Sequence, residues 1–219
     1  MALKEAMHER HMVRKYTDKE LPPDIVQKLN QRIADHNEKN NLAIKLMVND
    51  GGAFHAFLKL ILAKGVKNYF IMAGKESSDL DEKLGYSGAD LMLYAQTLGL
   101  NTWWVGGTFS RKAVAEKAWG RKAVGVVAVG YGKSQGVPHK TKAADEVSEY
   151  DGEMPGWFRK GTEAALLAPT ALAKQAFHIE GRENQVSFSC DNGIFSGVDT
   201  GLVKYHFELG AGKENFTWT

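Results

Sequence analysis

The sequence predicts an α+β fold, with helices packed on a central antiparallel or mixed sheet. Three observations carry this expectation. Ala123 to Val129 (AVGVVAV) is a near-continuous apolar run, which suits a strand covered on both faces. Helical and strand-like stretches alternate, and the order helix, strand, helix and Trp-bearing strand recurs in both halves. Two helices also repeat each other: ADLMLYAQTLGL (89–100) and TGLVKYHFELGA (200–211) align without gaps. In that alignment Leu91 faces Leu202, Tyr94 faces Tyr205, Leu98 faces Leu209 and Gly99 faces Gly210. The repeat predicts an internal duplication of two half-size units.

The elements follow in order. Residues 22–40 read as a helix, because Ile25, Val26, Leu29 and Ile33 recur at helical spacing behind Pro22-Pro23. A strand is expected within 41–49 (LAIKLMV) and another over 69–73 (YFIMA). Residues 77–85 (SSDLDEKLG) read as a polar turn or helix start. A helix is expected from Gly88 to Leu98, with Leu91, Tyr94, Ala95 and Leu98 on one face and Gly99 as its stop. Trp103-Trp104-Val105 reads as a short buried strand ending in Gly106-Gly107. Ser110 can cap a helix carrying Val114, Ala118 and Trp119. Residues 130–149, rich in Gly, Lys and Ser, read as a long connection. A helix over 155–167, strands over 178–182 and 185–190, and a last helix over 198–209 ending at Gly210 complete the chain. The domain reading is an N-terminal half over 1–135, a connection over 136–154 and a C-terminal half over 155–219.

Composition bounds the function. The chain has 219 residues, 43% hydrophobic and 25% charged, which excludes a disordered chain, a collagen-like chain and a disulfide scaffold. Lys and Arg total 28 against 26 Asp and Glu, an excess too weak for a nucleic-acid binder. It leaves room for a local basic site that holds an anion. No apolar run approaches the ~20 residues that span a bilayer. The N-terminus lacks the apolar core of a secretory signal. Cys190 is the single cysteine, so no internal disulfide forms, which fits a cytoplasmic setting. The Cys and His residues show no CxxC, HxxxH or HExxH spacing, so no metal centre is expected.

Three segments could carry chemistry. Arg10-His11-Met12-Val13-Arg14-Lys15-Tyr16 places four potentially cationic groups within six residues, ahead of the first long helix. Arginines offer forked donors that match phosphate; a solvated basic turn is the plainer reading. Val105-Gly106-Gly107 ends a strand, where paired glycines let a backbone approach a flat ligand. Trp104 adjoins that pair. Ala168-Pro169-Thr170-Ala171-Leu172-Ala173-Lys174-Gln175-Ala176-Phe177 reads as a loop that runs into a strand. His206 sits on an apolar helix face and reads as a core group, while His55 and His178 have no partner identifiable from sequence.

Together these segments resemble the FMN-dependent nitroreductase family. The N-terminal stretch is similar to that family's RRSxR[KR]F signature. YSGADLMLYAQTLGLNTWWVGGTF resembles its GxALxxLxLxAxxLGLGTCWxGGF stretch, and APTALAKQAF its APSxxNxQPW motif. The last motif lies near residue 170 instead of close behind the first helix. That order, with the C-terminal VKYHFELGAGKENFTW, is similar to a branch in which one chain resembles the ordinary dimer.

The resemblance implies a nitroreductase-like fold and an FMN-dependent NAD(P)H oxidoreductase. Hydride would pass from NADH or NADPH through the flavin to a nitroaromatic or quinone-type acceptor in a ping-pong cycle. The flavin carries the chemistry, so no catalytic side chain is implied. Arg10, His11 and Arg14 match the motif's basic residues, and Met12 stands where Ser is usual. Val105, Gly106 and Gly107 match backbone positions near the flavin ring. Pro169, Thr170 and Ala171 match the loop against the flavin, with Ala173 in place of the motif's Asn. Lys140, or Lys142, is a further phosphate candidate. The implied partners are small molecules, with no nucleic acid and no membrane. The implied assembly is a monomer able to form a site alone, with a dimer possible. The rival reading is a flavin-binding or ligand-binding protein without turnover.

Overall fold

The computed structural model describes residues 1–54 and 63–219. The chain divides into two compact units. The first comprises Met1–Leu80 and Asp90–Pro138, and the second Asp81–Ala89 and His139–Thr219. His55 lies outside the described residues.

The first unit contains α1 (Leu3–Glu9), α2 (Pro23–Asn40), β1 (Lys45–Met47), β2 (Tyr69–Gly74), β3 (Asn101–Val105), α4 (Arg111–Lys117) and β4 (Lys122–Gly130). It also holds the latter part of α3 (Leu80–Thr97). Its four strands form a wholly antiparallel sheet in the order β1-β2-β4-β3. The apolar run 123–129 lies in β4, an inner strand, and Val126 to Val129 are essentially inaccessible to solvent. Covering both faces of an inner strand removes the polar alternation that a half-exposed strand would show. Tyr69, Ile71, Trp103, Val105, Val126 and Ala128 pack in one core on this sheet. α2 begins at its expected place, with Pro at its first position. It ends at Asn40, capped by Asn41 with a left-handed φ of 52°, and the strand expected within 41–49 is the three-residue β1.

α3 differs from expectation. The polar stretch 77–85 and the helix expected from Gly88 are one helix, so Gly85 and Gly88 lie inside it. Gly85 has a packing role within the second unit. A Cβ there would lie 2.1 Å from the Val198 carbonyl oxygen, and one at Gly201 would lie 2.0 Å from the Glu82 carbonyl oxygen. Two glycines therefore let helix backbones meet with no side chain between them.

The second unit adds β5 (Ser148–Asp151), α5 (Gly156–Ala165), β6 (Phe177–Arg182), β7 (Gln185–Cys190), α6 (Ser196–Ala211) and β8 (Thr217–Trp218). Its sheet runs β5-β6-β7-β8 and is mixed, with parallel pairs at both edges and an antiparallel pair in the centre. β5 falls in the stretch read as part of the long connection. Sequence reading missed it because SEYD carries only Tyr150 as a strand-forming cue. α5 and α6 pack through Gly161, whose Cβ would meet the Phe207 ring, and Gly210, whose Cβ would lie 2.4 Å from that of Ala164. Phe207 meets Phe158 and Phe216 edge-on and Trp218 at a tilt, and Phe216 meets Trp218 edge-on, which makes one aromatic cluster. Glu208 ties this region together. Its carboxylate accepts from Tyr86 Oη at 2.5 Å, Trp218 Nε1 at 2.8 Å and Lys213 Nζ at 2.9 Å.

The expected single central sheet is thus two four-stranded sheets of different topology. The expected helix stop at Gly210 is Gly212, with a φ of 81°. Gly99, by contrast, follows α3 with a φ of 77°. The two aligned glycines therefore do different work, one turning the chain and one admitting a neighbour. The internal duplication is not confirmed.

The glycine contact is testable. Gly85→Ala should lower stability by about 2–4 kcal/mol, because a backbone oxygen cannot yield as a flexible side chain does. Gly156→Ala, where no atom lies within 4 Å of the added Cβ, should be neutral or stabilising by up to about 1 kcal/mol. Urea midpoints of the two variants against wild type measure both.

Candidate functional site

The basic segment is built onto the free edge of β3. Arg10 caps α1, its N–H donating to the Ala6 carbonyl at 2.9 Å. Met12 then bridges Thr102 in parallel, and the Val13 N–H donates to Thr102 O at 3.2 Å. Further on, Tyr16 bridges Gly132, and the Lys133 N–H donates to Lys15 O at 2.9 Å. Two glycines make room for the segment. A Cβ on Gly132 would lie 2.8 Å from Val13 Cγ1, and one on Gly136 would lie 2.8 Å from His11 Cβ. Asn101 fixes this turn, accepting from the Gly132 N–H at 2.9 Å and donating to Gln135 at 2.9 Å.

The side chains of the segment differ sharply. Arg10 is 4% exposed, and its Nε has no hydrogen-bond partner among the described residues. Burial lowers its pKa to about 10, partly offset by Tyr16, so it stays cationic at neutral pH. Burial pushes the Tyr16 phenol well above its usual range, with Arg10 opposing the rise. A neutral phenol is a weak counter-charge, so the guanidinium is a buried cation whose Nε is unpaired among the described residues. Arg14 is exposed and lies over the Trp103 ring at 5.3 Å. Met12 contacts β3 through its backbone while its side chain is 46% exposed. His11 is half-buried.

β3 also carries the second motif. Val105 is buried, Gly106 is half-buried and Gly107 exposed, in a bend just past the strand. Thr102, the partner of Met12, lies near the start of β3, and Gly106 follows its end four residues on, roughly 13 Å away along the chain. One short strand therefore links the arginine segment to the glycine pair. Trp104 lies over the Gly125 backbone of β4, its Nε1 3.2 Å from where a Cβ would stand.

The third motif lies in the second unit. Leu172, Ala173 and Gln175 all adopt left-handed backbone, with φ of 55°, 53° and 47°. Three such residues in four positions are strained and need outside support. Two groups supply it. Asp199, in the first turn of α6, accepts the Ala171 N–H with both carboxylate oxygens, at 2.9 and 3.1 Å. Gln175 is buried; its amide donates to Leu166 O at 2.8 Å and accepts the Lys142 N–H at 2.7 Å. The result is a loop whose tip points outward, with Leu172 86% exposed and Ala173 exposed.

The remaining sequence candidates of this unit have assigned contacts. The Thr170 hydroxyl is buried and accepts the Gln175 N–H at 3.1 Å. Lys142 donates its ammonium to the Gln175 carbonyl at 2.8 Å, which occupies it within the loop. Lys140 is exposed, and Pro169 and Ala171 are half-buried. His206 Nδ1 pairs with the Leu202 carbonyl at 2.8 Å, as a core residue should. Burial, with Asp199 and Asp191 nearby, raises the Cys190 thiol, which disfavours the nucleophilic thiolate.

The sequence did not single out Asp199, and it placed Gln175 in the third segment without a role of its own. Gln175 stands at the fixed Gln of APSxxNxQPW, and that was its available signal. Asp199 had only its place as an acidic group at a helix start, which many helices share.

Comparison with known proteins gives the class. The sequence matches the family described as "Putative TM nitroreductase" over residues 2–211, and the chain belongs to it. The fold resembles that of a "putative nitroreductase" from Thermotoga maritima msb8, with a TM-score of 0.72 at 19% identity, over 98% of this chain and 85% of that one. It resembles a nitroreductase-like protein from Streptococcus mutans, with a TM-score of 0.55 at 13% identity, over 66% and 96%. It also resembles a "putative nitroreductase" from Desulfovibrio desulfuricans solved in complex with FMN, with a TM-score of 0.51 at 14% identity, over 71% and 99%. No curated protein matches the sequence. Among the described residues, no helix is long and apolar enough to cross a membrane.

The loop support carries a pH signature. Burial raises the Asp199 carboxyl to about 6 from its usual 3.8, with the Ala171 N–H opposing. A carboxyl raised on folding favours the native state when protonated. That contribution is complete below about 3.8 and is lost as pH rises through about 6. Asp199→Asn keeps an acceptor for Ala171 and removes the buried charge. It should stabilise the protein by roughly 1–2 kcal/mol at pH 7.5, after discounting for partial solvent access, and by little at pH 4.5. Denaturant midpoints at the two pH values measure the difference.

Proposed function

We propose that the protein is an FMN-dependent NAD(P)H oxidoreductase of the nitroreductase type. The observation that carries this reading is Arg10: a buried guanidinium with an unpartnered Nε, at the position matching the family's phosphate- and ring-binding arginine. An isolated buried cation is costly, and an anionic ligand relieves that cost. The residues present therefore fit FMN, whose phosphate and electron-poor ring both seek such donors.

When bound, FMN supplies two-electron chemistry, taking hydride from NADH or NADPH and delivering it to a nitroaromatic or quinone-type acceptor. The chain's part is binding, orientation and electrostatics. Arg14, exposed and held over Trp103, presents a second forked cation to a phosphate. Arg10 stabilises negative charge from within the protein, where low dielectric makes each donor count for more. Backbone at Val105, Gly106 and Gly107 allows close approach of a flat ring. His11 and Met12 flank the arginines. Within the second unit, Lys140 and the loop tip at Ala173 are both exposed.

Two measurements test the reading. Purified protein reconstituted with FMN should be yellow and should bleach with NADH or NADPH. Protein that stays yellow identifies the rival, a binder without turnover, and protein that takes up no FMN refutes both. Arg10→Met should weaken FMN affinity at least about thirtyfold, since an ionic donor set is removed from a buried site. The same variant without FMN should be as stable as wild type or more so, because an unpaired buried charge has been replaced by an apolar chain. A variant that keeps its FMN affinity would remove Arg10 from the site.

A further inference from the structure

We propose that Glu149, His178 and Glu180 form a binding site for one divalent transition-metal ion of the zinc class, on the polar face of the second unit's sheet. The three residues each offer one donor atom, and these atoms lie within 4.8 Å of one another. That spacing lets a single ion with ligand distances of about 2.0–2.2 Å reach all three after small rotamer changes.

The arrangement follows from strand register. β5 and β6 pair in parallel with Glu149 opposite Glu180, and His178 stands two residues before Glu180. Alternation along a strand puts His178 and Glu180 on one face. Across β6, the partners of His178, Glu180 and Arg182 are Ser189, Ser187 and Gln185, so this face is polar throughout. A groove of about 390 Å³ lies on it, lined by both glutamates together with Ser187, Gln185 and Thr219. Ser187 Oγ reaches Glu180 at 3.5 Å.

Charge points the same way. Like charges directly opposite on adjacent strands repel. Two rungs along the same face the sheet avoids this, because Asp151 opposes Arg182 and pairs with it at 3.5 Å. At Glu149 and Glu180 no Lys or Arg among the described residues does the same, and the third group is an imidazole, which serves a metal when neutral. One nitrogen and two carboxylate donors suit zinc and its neighbours better than calcium or magnesium, which take oxygen ligands alone. Three protein ligands leave a position for water or another small ligand. The motif escapes a scan for metal spacings because its donors come from two strands 29 residues apart, joined only by register.

The test is calorimetric titration of the full chain, stripped with EDTA, with Zn2+ at pH 7.5. One saturable equivalent is expected. His178→Ala and Glu180→Gln should each weaken it by about tenfold or more. Cys190→Ser should leave it unchanged, which separates this site from adventitious thiolate binding. These positions are exposed or half-buried, so the variants should melt with wild type in EDTA. Absence of a saturable equivalent overturns the proposal, as does an affinity that His178→Ala leaves within threefold. Loss on Cys190→Ser, or Ca2+ binding as tightly as Zn2+, also overturns it.

Discussion

β3 is an edge strand, and the placement of the N-terminal basic segment depends on that edge. An edge exposes unpaired backbone donors and acceptors, which proteins block or pair. Here the cover is the N-terminal segment, joined at Met12–Thr102 and Val13–Thr102. Val13 and Tyr16 sink into the core beneath, so the backbone between them cannot lift away. That anchoring is what can keep Arg10 buried. A free arginine side chain would move to water sooner than lose its hydration. One fixed at a helix end, between a buried helix face and a buried Val, has little freedom to do so. The cost of that burial is borne by the rest of the core, and it leaves the Arg10 Nε without a hydrogen-bond partner among the described residues.

The second unit reaches a similar balance by other means. Its 170–175 loop holds non-glycine residues in left-handed conformations, each of which costs of order 1 kcal/mol or more. Buried hydrogen bonds offset this: both oxygens of Asp199 on one N–H, and a Gln175 side chain used as donor and acceptor together. Asp199 is itself disfavoured by burial, so one strained element is held by another. Such coupled supports fix a loop tip in one outward pose better than apolar packing would, because hydrogen bonds are directional.

How much of this was legible in the sequence depends on whether the cause is local. β4 was readable because burial on both faces writes itself as an uninterrupted apolar run. α2 was readable from Pro23 and the spacing of Leu29 and Ile33. β5 was not, because its stability comes from pairing with β6 and its sequence carries little strand signal. Gly85 and Gly210 misled because glycine is a local helix breaker in composition but, in a packed structure, also the residue that permits close approach. At the site, Arg10 and Arg14 were legible as charges, yet nothing local distinguished the buried one from the exposed one. Lys142 and Thr170 looked available, and are engaged by the loop itself. Glu149, His178 and Glu180 were invisible as a set, since register alone assembles them.

The departures at Met12 and Ala173 can be weighed on the same physical basis. At both places the fold depends on the backbone. Met12 holds β3 through main-chain pairing, and its side chain is largely in water; Ala173 sits exposed on a loop fixed by Asp199 and Gln175. Neither substitution therefore removes a side-chain contact on which the fold depends. A Ser-to-Met change at an exposed position loses a hydroxyl and gains flexible apolar surface. An Asn-to-Ala change at a left-handed position is worse than neutral for the backbone, because Asn tolerates that conformation better than Ala does. Ala173 thus stands where local conformational preference favours the residue it replaces. Folding stability gives no reason for the alanine, and its exposure leaves the space beyond the loop tip as the place where its small size can matter.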